Sequence, residues 1–187
     1  MSSEFVIRKG PKQWEAKIYS GEMEIAEIKK GEGLSFRLIN HRDKNEWILS
    51  NVVHGERRAF SYSVHKNERK ASVLSEPIFV VRDQLFEHDG KFYMMANHPE
   101  SKLWDEYVSS PVRYIGRLNN FPYSKLSEVD HQHCTLRDKI KRFRGTSVGE
   151  ASGLGTEERG HRVKLDSELE DVGLFIAAIS YLIYASG

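Results

Sequence analysis

One segment of the sequence carries no charged residue at all: residues 172–187, which read VGLFIAAISYLIYASG. Charged residues make up 29% of the whole chain, so this segment stands apart from the rest. When it is placed on a helix, its apolar side chains fall on every face. A helix that is apolar all round must be enclosed by protein or by lipid. The organisation of the remaining chain therefore depends on which of the two surrounds this segment.

The residues just before this segment contain a signal for the start of a helix. Ser167 and Glu170 have the S-x-x-E spacing of a capping box, in which the two side chains satisfy N–H groups of the first helical turn. We therefore predict a helix over residues 168–185, within a terminal unit that covers residues 166–187.

The length of this helix favours burial inside the domain. Sixteen uncharged residues span about 24 Å as a helix, which is shorter than the hydrocarbon layer of about 30 Å. The flanking residues Asp166, Glu168, Glu170 and Asp171 are acidic, whereas membrane anchors commonly carry Lys or Arg there. The alternative is a tail-anchored membrane protein with a cytoplasmic β-domain.

Length and composition fit one globular domain. The chain has 187 residues, of which 39% are hydrophobic, enough to bury a sizeable core. A net charge of +1 gives no general attraction to nucleic acid, and none is expected as a partner. Cys134 is the single cysteine, and the first ten residues contain no secretory signal. The expected location is the cytoplasm, with the inner face of a membrane as a peripheral site.

Residues 1–122 are predicted to form a meander of short strands. Apolar and polar residues alternate in about ten runs at intervals of about 8 to 14 residues, which is typical of a sandwich or barrel. Residues 59–65 show the cleanest alternation and predict a strand with one solvent-exposed polar side. The pair Asp89-Gly90 between two such runs predicts a tight hairpin. Residues 23–28 fit either a strand or a short helix.

Residues 123–165 are predicted to be a loop-rich excursion that contains a basic segment. The apolar spacing of residues 124–144 fits an amphipathic helix as well as an irregular strand. Residues 145–160 contain five glycines and predict a flexible loop. Residues 161–165 predict one more strand before the terminal helix.

Three stretches bring a family into view. Residues 165–185 (LDSELEDVGLFIAAISYLIYA), 79–96 (FVVRDQLFEHDGKFYMMA) and 112–122 (VRYIGRLNNFP) resemble the apolar helix and the hairpins of the tubby C-terminal-like superfamily. That superfamily includes tubby proteins, phospholipid scramblases and the plant LURP-one-related proteins. The resemblance covers nearly the whole chain as a single tubby-like domain, residues 1–187. It implies a mainly β fold, in which a closed antiparallel barrel of about twelve strands encloses the hydrophobic C-terminal helix.

One stretch groups residues that often bind metals. Residues 130–134 read DHQHC, but a zinc site needs four ligands, normally as two separated pairs. The histidines that a fold could bring to them are His88, His98 and His161. We expect a solvated loop here, with neither metal nor cofactor bound.

Catalytic motifs are also weak. Cys134 lacks the surrounding signature of a Cys-His nucleophile. Residues 149–155 (GEASGLG) lack the G-K-[ST] ending of a phosphate-binding loop. The sequence therefore predicts a protein that is not an enzyme, while a site assembled from scattered His and Asp residues remains the enzymatic alternative.

A basic segment is the best candidate for a functional surface. It interleaves positive charges with Leu136, Ile140 and Phe143. The basic residues are Arg137, Lys139, Lys141, Arg142 and Arg144. Such a segment suits an anionic membrane surface, where each basic residue contributes about 1 kcal/mol. Together with the resemblance, it predicts a non-enzymatic domain that binds anionic phospholipid or an acidic partner, whereas the alternative is a solvated charged face.

Overall fold

The computed structural model describes residues 2–12, 14–51, 61–68, 74–82, 84–97, 112–119, 121, 123, 125–128, 145–154 and 159–185. These residues form twelve β-strands, two 3₁₀ segments and one α-helix. The strands are β1 (Ser3–Lys9), β2 (Ala16–Ser20), β3 (Met23–Lys30), β4 (Ser35–Asn40), β5 (Glu46–Asn51), β6 (Tyr62–Lys66), β7 (Phe79–Arg82), β8 (Leu85–His88), β9 (Lys91–Asn97), β10 (Val112–Leu118), β11 (Gly145–Gly153) and β12 (Gly160–Leu165). The 3₁₀ segments are Leu126–Glu128 and Ser167–Val172, and the helix α1 is Gly173–Ala185.

The strands form one closed antiparallel barrel. Each strand pairs with its neighbours in sequence, and β1 pairs with β12 to complete the ring. The register of this closing pair runs from Ser3 opposite Leu165 to Arg8 opposite Gly160. The predicted fold class, a mainly β closed barrel with a hydrophobic C-terminal helix, is confirmed.

Helix α1 lies inside the barrel. The eight consecutive residues 176–183 are each at most 3% exposed, so that two full turns are covered on every side. At the start of α1, a Cβ on Gly173 would lie 3.2 Å from Phe5 of β1. The ring of Phe175 stacks 6.0 Å from Phe79 of β7. Since β1 and β7 are on opposite sides of the ring of strands, the barrel wall surrounds the helix.

The helix start differs from the sequence prediction. Residues Ser167–Val172 wind as a 3₁₀ segment, and the N-cap is Asp166, which makes no capping hydrogen bond through its side chain. The predicted capping box of Ser167 and Glu170 is therefore wrong. Backbone contacts hold this entry instead: Asp166 N donates to Val148 O over 2.8 Å, and Leu169 N donates to Asp166 O over 3.0 Å. Among the described residues, no helix has both the length and the apolarity that a membrane-spanning helix requires.

Glu168 links the helix entry to two strands of the wall. Its carboxylate accepts a hydrogen bond from Tyr93 Oη over 2.7 Å and two from Arg117 Nη1 over 2.8 and 2.9 Å. Partial burial alone would raise the pKa of Glu168, but the hydrogen bonds from Tyr93 and Arg117 outweigh it and hold this pKa below its usual value. Burial, followed by the bond to Glu168, raises the pKa of Tyr93.

This arrangement predicts an acid-sensitive contribution to stability. Glu168→Gln is expected to lower the free energy of unfolding at pH 7 by about 1 to 3 kcal/mol, because it removes the charged acceptor of three hydrogen bonds. A carboxyl with a lowered folded pKa stabilises the fold above its unfolded pKa of about 4.3 and loses that effect as the pH falls through the folded pKa. Urea unfolding at pH 7 and in acid should therefore show that the difference in free energy of unfolding between the variant and the wild type becomes smaller as the pH falls. Glu170→Gln, which changes an exposed neighbour, is the control. If the stability difference between Glu168→Gln and the wild type is as large in acid as at pH 7, the charged form of Glu168 does not stabilise the fold.

The Asp-Gly hairpin is confirmed. Asp89 and Gly90 join β8 to β9, with φ angles of +49° and +72°. Two consecutive left-handed residues are the requirement of a type I′ turn, and Asp-Gly is among the pairs that adopt it most readily.

The polar side of β6 is buried, so the predicted half-exposed strand is wrong. Ser61, Ser63 and His65 are 1%, 8% and 9% exposed. Residues 74–78 cover them, since Ile78 N donates to Val64 O over 2.8 Å and His65 Nδ1 lies 2.7 Å from Ser75 O. Alternation within one strand carries no information on a covering segment that comes later in the chain.

The predicted flexible loop at residues 145–160 is also wrong in its first part. Residues 145–153 form β11, which pairs with both β10 and β12. A Cβ at Gly149 would lie 2.7 Å from Lys164 O and 2.8 Å from Leu165 Cδ2. Glycine at this position therefore permits close approach of two strands. The predicted strand at residues 161–165 is confirmed as β12.

Other predictions from the sequence have different outcomes. The ambiguous residues 23–28 belong to β3. Two of the alternating runs in the predicted strand meander are residues 70–74 and 103–108; apart from Leu74 they lie outside the described residues. Residues 129–144 of the amphipathic segment also lie outside the described residues.

Candidate ligand-binding groove

A groove of about 860 Å³ crosses strands β3 to β6. Its floor consists of side chains on β4 and β5 that alternate with core residues and therefore face outwards. Arg37 lies opposite Ile48, and Ser35 lies opposite Ser50, while Phe36 and Leu49 between them belong to the core. The remaining lining comes from the ends of β3, β5 and β6, the β3–β4 turn and three residues after β6. It is Lys30, Gly31, Glu32, Leu34, Asn51, Lys66, Asn67, Glu68 and Leu74.

The groove combines apolar and basic groups. Leu34 and Leu74 are 54% and 49% exposed, whereas most large apolar side chains among the described residues are buried. The basic members are Lys30, Arg37 and Lys66, and the acidic members are Glu32 and Glu68. A surface that combines apolar side chains with cationic groups suits a ligand that has both an anionic and an apolar part.

Neighbouring groups hold two of the cations in position. Arg37 Nε donates to Glu46 Oε1, and Asn67 Nδ2 donates to the same oxygen over 2.8 Å. The hydrogen bond to Glu46 raises the pKa of Arg37, so the guanidinium stays charged. Lys30 Nζ lies 4.7 Å from the centre of the Phe36 ring and donates to Gly33 O. These contacts fix cationic groups at the groove before any ligand binds.

The groove also holds an unused acceptor. Asn51 Oδ1 is buried and has no hydrogen-bond partner among the described residues. A buried acceptor without a partner costs free energy.

A buried Ser-His pair lies on the neighbouring strand. Ser63 Oγ is 2.8 Å from His65 Nε2. His65 Nδ1 must donate to Ser75 O, since a carbonyl only accepts, and a neutral His65 then accepts the Ser63 proton at Nε2. This is the hydrogen bonding of a nucleophile and its base. Both side chains are at most 9% exposed, and His65 is held by Ser75, so solvent hardly reaches the pair in this structure.

The basic segment predicted from the sequence lies outside the described residues. This applies to Arg137, Lys139, Lys141, Arg142 and Arg144, and equally to residues 130–134 and His98. His161 packs its ring 5.8 Å from that of Tyr181 in α1. Residues 149–153 are part of β11 and do not form a phosphate-binding loop. The groove residues were missed because they lie on four strands, β3 to β6, and come together only through strand register.

Comparisons of the chain with protein-family models, with curated proteins and with solved structures find no significant match. The resemblance to the tubby-like superfamily therefore stays a prediction from the sequence. What the groove binds must be argued from its own chemistry.

Proposed function

We propose that this chain is a non-enzymatic tubby-like domain that binds anionic phospholipid at a membrane surface. The observation that carries the proposal is the groove on β3 to β6, where Lys30, Arg37 and Lys66 surround apolar side chains. The closed barrel around α1 adds support, because the resemblance implies that architecture. The expected setting is the cytoplasmic side of a membrane.

The chemistry of the groove fits a phospholipid at its headgroup. Phosphate oxygens would meet Arg37, whose planar guanidinium suits phosphate, and the two lysine ammonium groups. Leu34 and Leu74 at the rim would contact the first part of the acyl chains. The basic groups of the groove act from the ends and faces of strands, and the basic segment predicted from the sequence, Arg137 to Arg144, would add to the attraction for an anionic membrane.

Flotation with lipid vesicles tests this function. The wild-type chain is expected to float with vesicles of phosphatidylcholine and phosphatidylserine, but not with phosphatidylcholine alone. Lys30→Glu combined with Lys66→Glu should reduce the bound fraction at least about tenfold, since each lost cation removes about 1 kcal/mol. Neutralising the five basic residues of the segment should do the same. Binding should also weaken as salt is raised.

The matched control reverses two lysines on other strands. Lys17 pairs with Glu24 and Lys164 pairs with Glu150, and both lysines are about half exposed. Lys17→Glu combined with Lys164→Glu makes the same change in net charge as the groove variant. Equal flotation of the wild type, the groove variant and the segment variant would remove the proposed function. An equal loss of vesicle binding in the control would show that net charge, and not the groove, determines binding.

A further inference from the structure

Three potential metal ligands meet where the β8–β9 hairpin approaches the entry of α1. His88 ends β8, Asp89 begins the hairpin turn, and Asp171 lies in the 3₁₀ segment before α1. His88 Nε2 is 2.9 Å from Asp171 Oδ1 and 3.4 Å from Asp89 Oδ2. One ligand atom from each residue lies within 4.8 Å of the others.

The nitrogen of His88 is unusual in this cluster. Its side chain is 11% exposed, and Nε2 itself is buried without a hydrogen-bond partner among the described residues. The two carboxylates are therefore close to Nε2 but do not lie in the direction of a good N–H···O bond. Burying a ring nitrogen without a hydrogen bond costs free energy. In a neutral imidazole, the lone pair of such a nitrogen is available to a metal ion.

The distances match the edges of a coordination sphere. Zinc binds imidazole nitrogen and carboxylate oxygen at about 2.0 to 2.2 Å. Two such ligands at octahedral or tetrahedral angles are separated by about 2.9 to 3.5 Å. The separations of 2.9 and 3.4 Å around His88 Nε2 fall in this interval.

A cavity of about 420 Å³ lies beside the cluster and includes His88 in its lining. Arg82 and Glu87 also line it, and Arg82 Nε is another buried nitrogen without a hydrogen-bond partner among the described residues. A catalytic or exchangeable zinc site has three protein ligands and keeps one position for water or another ligand. The cavity borders the cluster at His88, so a water on that side of His88 is the candidate for the fourth position.

We propose that His88 Nε2, Asp89 Oδ2 and Asp171 Oδ1 bind one divalent transition-metal ion of the zinc class. The imidazole ligand favours zinc over magnesium and calcium, which prefer oxygen alone. The ion ties the β8–β9 hairpin to the entry of α1 and stabilises the enclosed helix by mass action. This site shares no residue with the groove on β3 to β6, so each stands or falls separately.

Metal titration of the full chain tests the site. After treatment with EDTA, the wild type is expected to bind one Zn²⁺ per chain and to show a higher Tm with excess Zn²⁺. Co²⁺ should give the visible absorption of a low-symmetry site that contains nitrogen. His88→Gln, Asp89→Asn and Asp171→Asn should each weaken Zn²⁺ binding at least about 100-fold. Asp89→Asn keeps the hairpin turn, because Asn-Gly adopts the same type I′ conformation as Asp-Gly.

Two control variants are matched to the ligands. Glu170→Gln removes an exposed carboxylate next to Asp171, and His41→Gln removes a histidine that pairs with Glu24 at 3.8 Å. Both should bind Zn²⁺ like the wild type. Circular dichroism of the metal-free proteins separates loss of a ligand from loss of the fold, and the exposed positions 89 and 171 keep the test valid if His88→Gln unfolds. Absence of stoichiometric Zn²⁺ binding by the wild type would overturn the site. So would a Zn²⁺ affinity equal to that of the wild type in all three ligand variants.

Discussion

Deletion of residues 167–187 is expected to leave a chain that does not fold. The deleted part supplies Leu169 and the side chains of residues 176–183, which fill the centre of the barrel. Truncating one buried Leu or Ile to Ala costs about 2 to 5 kcal/mol, and a whole domain is stable by only about 5 to 15 kcal/mol. Circular dichroism and size-exclusion chromatography without detergent should show a disordered or aggregated product.

The same experiment separates the enclosed helix from a tail anchor. If α1 were an anchor, its removal would improve solubility and leave a folded β-domain. A graded control uses single substitutions: Ile179→Ala should lower the free energy of unfolding by about 2 to 5 kcal/mol, while Leu174→Ala, which is only partly buried, should cost less. A folded, monomeric product of the deletion would contradict the enclosed helix.

Gly160→Ala is expected to disrupt closure of the barrel. Gly160 begins β12 opposite Arg8 of β1, and a Cβ there would lie 2.0 Å from Ile7 O and 2.9 Å from Leu154 Cδ1. A clash with a backbone carbonyl cannot be relieved by a side-chain rotation, so the two strands must separate. Overpacking of this kind typically costs about 1 to 3 kcal/mol, and we expect about 3 kcal/mol or more here.

Urea unfolding of the variant measures this effect. Gly153→Ala is the matched control, because Gly153 lies on the neighbouring strand β11 and a Cβ there would meet no atom within 4 Å. Its stability should stay close to that of the wild type. Equal stability of Gly160→Ala and Gly153→Ala would show that the β1–β12 seam tolerates a side chain.

The features predicted well from the sequence are those set by local chemistry. The helix is confirmed over Gly173–Ala185 because residues 172–185 carry no charge and are nearly all apolar, and the hairpin is confirmed because Asp89-Gly90 suits consecutive left-handed residues. The closed ring of twelve strands came from the family resemblance, since alternation alone does not distinguish a barrel from a sandwich. The glycines of β11 were misread because glycine marks both a flexible loop and a close approach of strands.

The candidate binding sites show the same division between features that are local in the sequence and features that depend on the fold. The basic segment was visible because its five charges fall within eight consecutive residues, whereas Lys30, Arg37 and Lys66 are spread over three strands. His88 and Asp171 are still further apart in the chain, and only closure of the barrel brings them together. Spacing rules detect ligands on one turn or strand, but they contain no information on such long-range pairs.

Closure of the barrel also constrains how the chain is made. β1 leaves the ribosome about 150 residues before its partner β12, which corresponds to roughly 10 to 30 s of synthesis. During that interval the nascent chain carries an unpaired strand edge that is prone to aggregate with other chains. The exposed charges at Glu4 and Arg8 on β1, and at Arg162 and Lys164 on β12, would oppose such pairing until the two edges meet.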